Sequence, residues 1–155
     1  MVMKYVPEDT SVTFSEVPDE VSLCVNISNC PCRCIGCHSP YLRGDIGEEL
    51  TQSIVDKLIR TNSGISCICF MGGDASRSDL NALAKYVKEN YDIKTAWYSG
   101  RSVISPDIDI CNFDYIKVGP YMEKYGPLNV RTTNQVMYKV ENGELIDITN
   151  KFWLS

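Results

Sequence analysis

Four of the chain's eight cysteines lie close together in the segment ISNCPCRCIGCHSP, at Cys30, Cys32, Cys34 and Cys37. In a reducing compartment, clustered thiols are metal ligands or redox groups more often than disulfides. The density of thiols in this one loop therefore predicts a metal site or a redox centre, and three kinds of site fit the residues.

The first is a structural zinc site made by all four cysteines, or by three of them with His38. Zinc prefers four tetrahedral ligands, which commonly come from pairs well separated in sequence, so this short segment would be cramped. The second is dithiol redox chemistry at Cys34 and Cys37, a CxxC pair that leaves Cys30 unexplained. The third is an iron–sulfur cluster held by Cys30, Cys34 and Cys37, with Cys32 as a spectator. Three thiolates on a four-iron cube would leave one iron open to a substrate.

A glycine turn, Gly72-Gly73-Asp74, follows the apolar run ISCICFM at 65–71. Glycine lets the backbone approach a ligand closely, and the carboxylate of Asp74 is suited to bind an ammonium group. An ordinary strand-to-helix turn, with Asp74 in the helix cap, is the alternative interpretation.

Together these two motifs resemble the radical S-adenosylmethionine superfamily. Its CxxxCxxC spacing occurs at Cys30, Cys34 and Cys37. Its Gly-Gly-acid motif, which binds the methionyl amino group, is similar to Gly72–Asp74. The chain departs from the usual pattern at Ala75, where most members have proline.

From about residue 21 to 140 the chain is most similar to the anaerobic ribonucleoside-triphosphate reductase activating proteins. Val118 departs from this family, in which many members carry an acid before the glycine. The supporting segments are Cys34-Ile-Gly-Cys37-His38, Gly72-Gly73-Asp74, Tyr98-Ser99-Gly100, Lys117-Val118-Gly119-Pro120-Tyr121 and Arg131-Thr132-Thr133-Asn134-Gln135.

The resemblance implies an enzyme that cleaves S-adenosylmethionine reductively with one 4Fe-4S cluster and generates a glycyl radical on an anaerobic (class III) ribonucleotide reductase. It implies Cys30, Cys34 and Cys37 as cluster ligands, and a flavodoxin or a ferredoxin-type protein as electron donor. The implied cofactor-binding residues are Gly36, His38, Gly72, Gly73, Asp74 and Ser99. Two alternatives stay open: an activase of another glycyl-radical enzyme, such as the pyruvate formate-lyase type, and a non-enzymatic zinc-binding module.

The elements that must position these motifs alternate between strands and helices. Apolar runs predict strands at 21–27, 65–71, 93–99 and 114–121, and periodic apolar residues predict a helix within 47–61. Ser76–Asp79 resembles a capping box that starts a second helix, whose apolar face holds Leu80, Leu83, Ala84 and Val87. Asn142-Gly143 predicts a tight hairpin.

This order predicts one α/β domain over residues 1–155, a partial, open (βα) barrel of the radical SAM type with mostly parallel strands and a C-terminal hairpin. Ligands bind at the carboxyl ends of parallel strands, where both motifs lie. An open rim suits a macromolecular substrate better than a small metabolite.

Composition narrows the other function classes. With 15 basic and 20 acidic side chains the formal charge is −5, so we expect no nucleic-acid partner. No apolar run approaches the roughly 20 residues that cross a bilayer, and the N-terminus lacks a secretory signal, which predicts a cytoplasmic protein without a membrane partner.

Several residues outside the motifs have open roles. Cys24, Cys67, Cys69 and Cys111 lie among apolar residues and are predicted in the core. Lys117 points either to the cofactor carboxylate or to solvent. Arg131 and Asn134-Gln135 either shape a ligand surface or cap the terminal hairpin, and residues 121–129 are a candidate docking loop.

Overall fold

The computed structural model describes residues 3–31 and 40–153, which form nine strands and two α-helices. The helices are α1 (Gln52–Thr61) and α2 (Arg77–Asn90). The strands are β1 (Lys4–Tyr5), β2 (Ser11–Thr13), β3 (Ser22–Asn26), β4 (Glu48–Glu49), β5 (Cys67–Met71), β6 (Lys94–Tyr98), β7 (Tyr115–Val118), β8 (Val136–Glu141) and β9 (Glu144–Asp147).

A seven-stranded sheet in the order β2-β3-β5-β6-β7-β8-β9 is the centre of the fold. Its four middle strands, β3, β5, β6 and β7, run parallel, while β2, β8 and β9 join antiparallel. The small strands β1 and β4 form a separate antiparallel pair. Because all four parallel strands end at the same edge, the segments that follow them lie close together.

Both helices cover one face of this sheet. Val55 and Ile59 of α1 are buried, and so is the predicted apolar stripe of α2, Leu80 to Val87. They pack against the alternate strand residues that point to this face, among them Phe70 and Trp97. Burial of this apolar surface is the main source of stability for the parallel sheet.

The opposite face carries a second, smaller core. Cys24, Cys67 and Cys69 are buried there with Ala96, beneath Val17 from the segment after β2. The prediction that these three cysteines are core residues is confirmed.

For Cys111 the same prediction was wrong, since its side chain is exposed. It lies in a short 3-10 turn, Ile110–Asn112, which begins where the carboxylate of Asp109 accepts the Cys111 N–H at 3.0 Å. In this turn Ile110 is the residue that packs against the core, which leaves its neighbour facing solvent.

The start of α2 also differs from the prediction. Ser76 precedes the helix but makes no side-chain capping bond, so no capping box forms. At α1, by contrast, Thr51 accepts the Ile54 N–H at 3.2 Å. The two helices are joined by Asp56, which accepts hydrogen bonds from the hydroxyls of Tyr86 and Tyr91.

The hairpin between β8 and β9 turns at Asn142 and Gly143, with φ of 52° and 77°, as the sequence predicted. The α/β class and the parallel order of the middle strands are likewise confirmed. The sheet is not shown to close, because β2 and β9 each have one neighbour among the described strands, and its curvature into a partial barrel stays a prediction. Of the described helices, neither has the length and apolar character needed to cross a membrane.

Candidate functional site

The cysteine segment begins just after β3. Hydrogen bonds join its first residues to the residues that follow the segment. The Cys30 N–H donates to the Leu42 carbonyl at 2.8 Å, and the Asn29 N–H donates to the Gly44 carbonyl at 3.0 Å. Ser28 Oγ donates to the Ile46 carbonyl at 2.7 Å. These bonds hold both ends of the segment beside each other at the carboxyl end of β3.

Cys30 is therefore the one predicted cluster ligand that the structure describes, and it is partly buried. Cys32, Cys34, Gly36, Cys37 and His38 lie outside the described residues. Their predicted roles stay predictions.

The glycine turn lies next to this segment. The Ile27 N–H donates to the Met71 carbonyl at 3.0 Å, which joins the chain just before the cysteines to the chain just before Gly72. Gly72 and Gly73 have φ of 117° and 94°, a backbone conformation that side chains strongly disfavour. A Cβ on Gly72 would lie 3.1 Å from the Ile27 carbonyl oxygen, so glycine is required for the close approach as well.

Asp74 and Ser99, two predicted cofactor-binding residues, are brought into direct contact. Both are buried, and Ser99 Oγ donates to Asp74 Oδ1 at 2.5 Å. The Gly100 N–H donates to Asp74 Oδ2 at 3.0 Å. The carboxylate is thus held by the end of β6 and not by an amide of α2. Since a carboxylate accepts about four hydrogen bonds, it keeps acceptor capacity for an ammonium group.

Two residues that the sequence analysis missed also hold this turn. Trp97 Nε1 donates to the Gly72 carbonyl at 2.7 Å, and Arg77 Nη1 donates to the Asp74 carbonyl at 2.8 Å. A signal for Arg77 was present in the sequence. A cation at the first position of a helix opposes the helix dipole, which suggests a local acceptor that compensates.

An open groove of about 980 Å³ lies on the sheet face opposite the helices. Its floor is made by residues at the ends of three parallel strands, Met71, Tyr98 and Lys117, which are neighbours in register. Its walls come from residues 14–19 and from the loop at 121–129. The predicted docking loop therefore lines a groove that reaches Met71, the residue just before the glycine turn.

Lys117 is half-buried on this floor, not fully solvated. Its Nζ donates to the carbonyls of Ser99 at 3.4 Å and Gly119 at 3.2 Å, and lies 5.5 Å from the centre of the Tyr98 ring. The Tyr98 hydroxyl donates to the Glu16 carbonyl. Burial raises the pKa of Tyr98 well above its ordinary value, so this phenol stays protonated and can serve as a donor.

The buried thiols beneath the groove are poor metal ligands. Burial raises the pKa of Cys67 to about 12, and it raises the pKa of Cys69 well above its ordinary value. A thiolate is the form that binds metal, so these groups are unreactive core residues.

The segment after the loop fastens the end of β7. Asn134 Nδ2 donates to the Pro120 carbonyl at 3.0 Å, and Gln135 Nε2 donates to the Gly119 carbonyl at 3.3 Å. Arg131 is exposed, with its guanidinium 4.9 Å from the centre of the Trp153 ring. These residues hold the turn after β7 and the C-terminal segment in place.

The residues present fit the groups that the resemblance implies. Three cysteine thiolates are the usual donor set of a 4Fe-4S cluster with one open iron. The buried Asp74 carboxylate, held by Ser99 and by the Gly100 N–H, has the charge that would suit the ammonium of S-adenosylmethionine.

One family model matches the chain, that of the 4Fe-4S single cluster domain, over residues 20–105. No curated protein and no solved structure matches it significantly. The matched segment includes the cysteine motif, the glycine turn and Ser99, and it favours an iron–sulfur protein over a zinc module. As it covers more than half of the 155 residues, the chain belongs to the family of 4Fe-4S single cluster domains.

Proposed function

We propose that the chain is a radical S-adenosylmethionine enzyme that activates an anaerobic ribonucleoside-triphosphate reductase. Cys30, Cys34 and Cys37 would hold the 4Fe-4S cluster, and the turn at Gly72–Asp74 would bind the amino-acid part of S-adenosylmethionine. When bound, the reduced cluster supplies the electron for reductive cleavage of the sulfonium. The product is a glycyl radical on the reductase, and the electron donor is a flavodoxin or a ferredoxin-type protein.

The observation that carries this proposal is the hydrogen bond from the Ile27 N–H to the Met71 carbonyl, at 3.0 Å. It sets the start of the cysteine segment beside the start of the glycine turn, although the two motifs are far apart in sequence. A metal-binding motif alone would be compatible with a structural cluster. The adjacency of the cysteine motif to a glycine turn with a buried carboxylate supports a ligand site at the open iron of the cluster.

The chain's own groups have distinct tasks in this proposal. Asp74 accepts the ammonium of the ligand, and Ser99 keeps the carboxylate oriented by its hydrogen bond at 2.5 Å. The half-buried ammonium of Lys117 gives the groove floor positive charge near the ends of β6 and β7.

The groove itself supports a protein substrate. It is open along the sheet, with exposed apolar residues such as Phe14 and Met122 in the adjoining segments. A loop of the reductase could enter it and exclude water with its own residues, whereas a small metabolite would stay in contact with solvent.

The test begins with protein purified without oxygen and reconstituted with iron and sulfide. We expect a brown protein with about four irons and four sulfides per chain, as one cluster requires, which releases 5′-deoxyadenosine from S-adenosylmethionine when reduced. Addition of the reductase should produce a glycyl radical in the electron paramagnetic resonance (EPR) spectrum, and the Cys34→Ala variant should produce none.

Two outcomes would refute the proposal at different levels. A colourless protein with one zinc per chain would refute the cluster and all that follows from it. A protein that forms the radical on a glycyl-radical enzyme of the pyruvate formate-lyase type, but not on the reductase, would refute only the choice of partner.

A further inference from the structure

The backbone of the glycine turn is held by side chains on two sides. The Gly72 carbonyl accepts from Trp97 Nε1 at 2.7 Å, and the Asp74 carbonyl accepts from Arg77 Nη1 at 2.8 Å. Between them, the Gly73 carbonyl accepts the Ser76 N–H at 2.9 Å. Every carbonyl of the turn is therefore bonded within the chain.

Arg77 is itself held at a fixed position. Its Nε lies 2.8 and 3.0 Å from the two carboxylate oxygens of Asp107. Asp107 is held in turn, because Ser105 Oγ donates to its carboxylate at 2.6 Å and Asn81 Nδ2 donates to its carbonyl at 2.7 Å. The guanidinium thus connects the loop after β6 to the glycine turn through two successive polar contacts.

A turn with two glycines needs such support. Glycine loses more backbone freedom than any other residue when it is ordered, so an unsupported turn would lose much of its affinity for a ligand in becoming ordered. Trp97 is buried and Arg77 is about one-third exposed. The hydrogen bond from Trp97 is therefore anchored in the core, whereas the hydrogen bond from Arg77 depends on its surface ion pair with Asp107.

We infer that Arg77, held by Asp107, and Trp97 are positioning residues that keep the Gly72–Asp74 turn in the conformation that binds S-adenosylmethionine. The inference rests on the proposed function, since it assigns a task toward the ligand of that site. Neither side chain needs to touch the ligand, because both act through the backbone of the turn.

The test measures the Kd for S-adenosylmethionine by equilibrium binding to the reconstituted protein. Loss of a residue that orients a metal ligand typically weakens metal binding about 10- to 100-fold, and by analogy we expect Arg77→Met to raise the Kd about tenfold. Lys85→Met is the matched control. It removes a cation from the same helix at a residue whose salt bridge is with the exposed Glu89, and its Kd should equal that of the wild type.

A second readout separates positioning from general loss of structure. We expect Arg77→Met to keep its iron content and its EPR spectrum without ligand, but to lose much of the spectral change that S-adenosylmethionine causes. Asp107→Asn should raise the Kd by a smaller factor, and it tests the inference if Arg77→Met does not fold. The double variant should bind no more weakly than Arg77→Met alone, because both changes remove the same support.

Trp97→Phe tests the other side of the turn. It removes the donor to Gly72 and keeps an aromatic ring, and Trp153→Phe is its control, because the Trp153 ring contacts Arg131 beyond β7. A Kd equal to the wild-type value in Arg77→Met and Trp97→Phe, or strictly additive effects of Arg77→Met and Asp107→Asn, would overturn the inference and leave the proposed function intact. A wild-type protein with a complete cluster that does not bind S-adenosylmethionine would overturn both.

Discussion

At Gly72 the backbone passes close to Ile27, and the substitution Gly72→Ala tests the importance of this approach. The residue has a φ of 117°, which a residue with a Cβ adopts only under strain. The added Cβ would lie 3.1 Å from the Ile27 carbonyl oxygen and 3.3 Å from the Ile27 Cβ. These contacts are tight, and the atoms involved belong to the segment that leads into the cysteines.

The expected loss of stability on substitution of Gly72 has two separate sources. Backbone strain at such a φ costs about 1–3 kcal/mol, and an extra carbon in a tightly packed place costs about 1–3 kcal/mol more. Gly64→Ala isolates the first cost, because Gly64 has a φ of 95° but no atom within 4 Å of its Cβ position. Taking the middle of each range, we expect a loss of about 4 kcal/mol for Gly72→Ala and about 2 kcal/mol for Gly64→Ala.

The assay is thermal unfolding of both variants without oxygen, at one scan rate. A change of 1 kcal/mol shifts the Tm of a chain of this size by roughly 2–4 °C, so Gly72→Ala should lower it by roughly 8–16 °C and Gly64→Ala by roughly 4–8 °C. Equal shifts in the two variants would refute the reasoning, because they would show that proximity to Ile27 adds nothing to the strain.

Three further predictions concern the cysteines, the buried acid and the helix pair. Cys34→Ala should lose the cluster and all cleavage of S-adenosylmethionine, whereas Cys32→Ala should keep both. An iron assay that finds no cluster in Cys32→Ala would disprove the ligand assignment. Glu20→Ala should lower the Tm by roughly 4–8 °C, equivalent to about 2 kcal/mol. The reason is that the buried carboxylate accepts hydrogen bonds from Ser66, Lys94 and Tyr115. A Tm shift no larger than that of Glu89→Ala, at an exposed site, would contradict this prediction. Hydrogen bonds from Tyr91 and Tyr86 lower the pKa of Asp56. The stability that the ionised Asp56 contributes is therefore fully present above the ordinary carboxyl pKa, and it is lost as the pH falls through the lowered pKa. The Tm difference between wild type and Asp56→Asn should accordingly be largest near neutral pH and shrink below about pH 4, and a difference that grows in acid would contradict the assigned role.

Much of the fold follows from short-range patterns. The apolar runs before Gly72 and Gly100 form strands, because nearly continuous apolar runs are typical of parallel strands that are covered on both faces. Asn142-Gly143 is a hairpin turn because these two residues readily adopt a positive φ. The spacing of Cys30, Cys34 and Cys37 likewise indicated iron–sulfur chemistry without any knowledge of the fold.

The predictions that failed depended on what lies nearby in space. Cys111 has apolar neighbours in sequence, yet in its 3-10 turn the partly buried Ile110 packs against the core and the thiol is exposed. Ser76 precedes a helix, as a cap does, but its side chain makes no capping bond. The position of Lys117 was left open by the sequence, and in the structure its ammonium donates to the carbonyls of Ser99 and Gly119.

The sequence by itself determined the elements, the thiol motif and the presence of a glycine turn, because propensity, periodicity and ligand spacing act over a few residues. Only the tertiary structure decided which groups meet. Arg77 and Asp107 are 30 positions apart, and Ser99 and Asp74 are 25 apart, yet each pair forms a direct hydrogen bond. Such contacts depend on the order and register of the parallel strands, which no local pattern specifies.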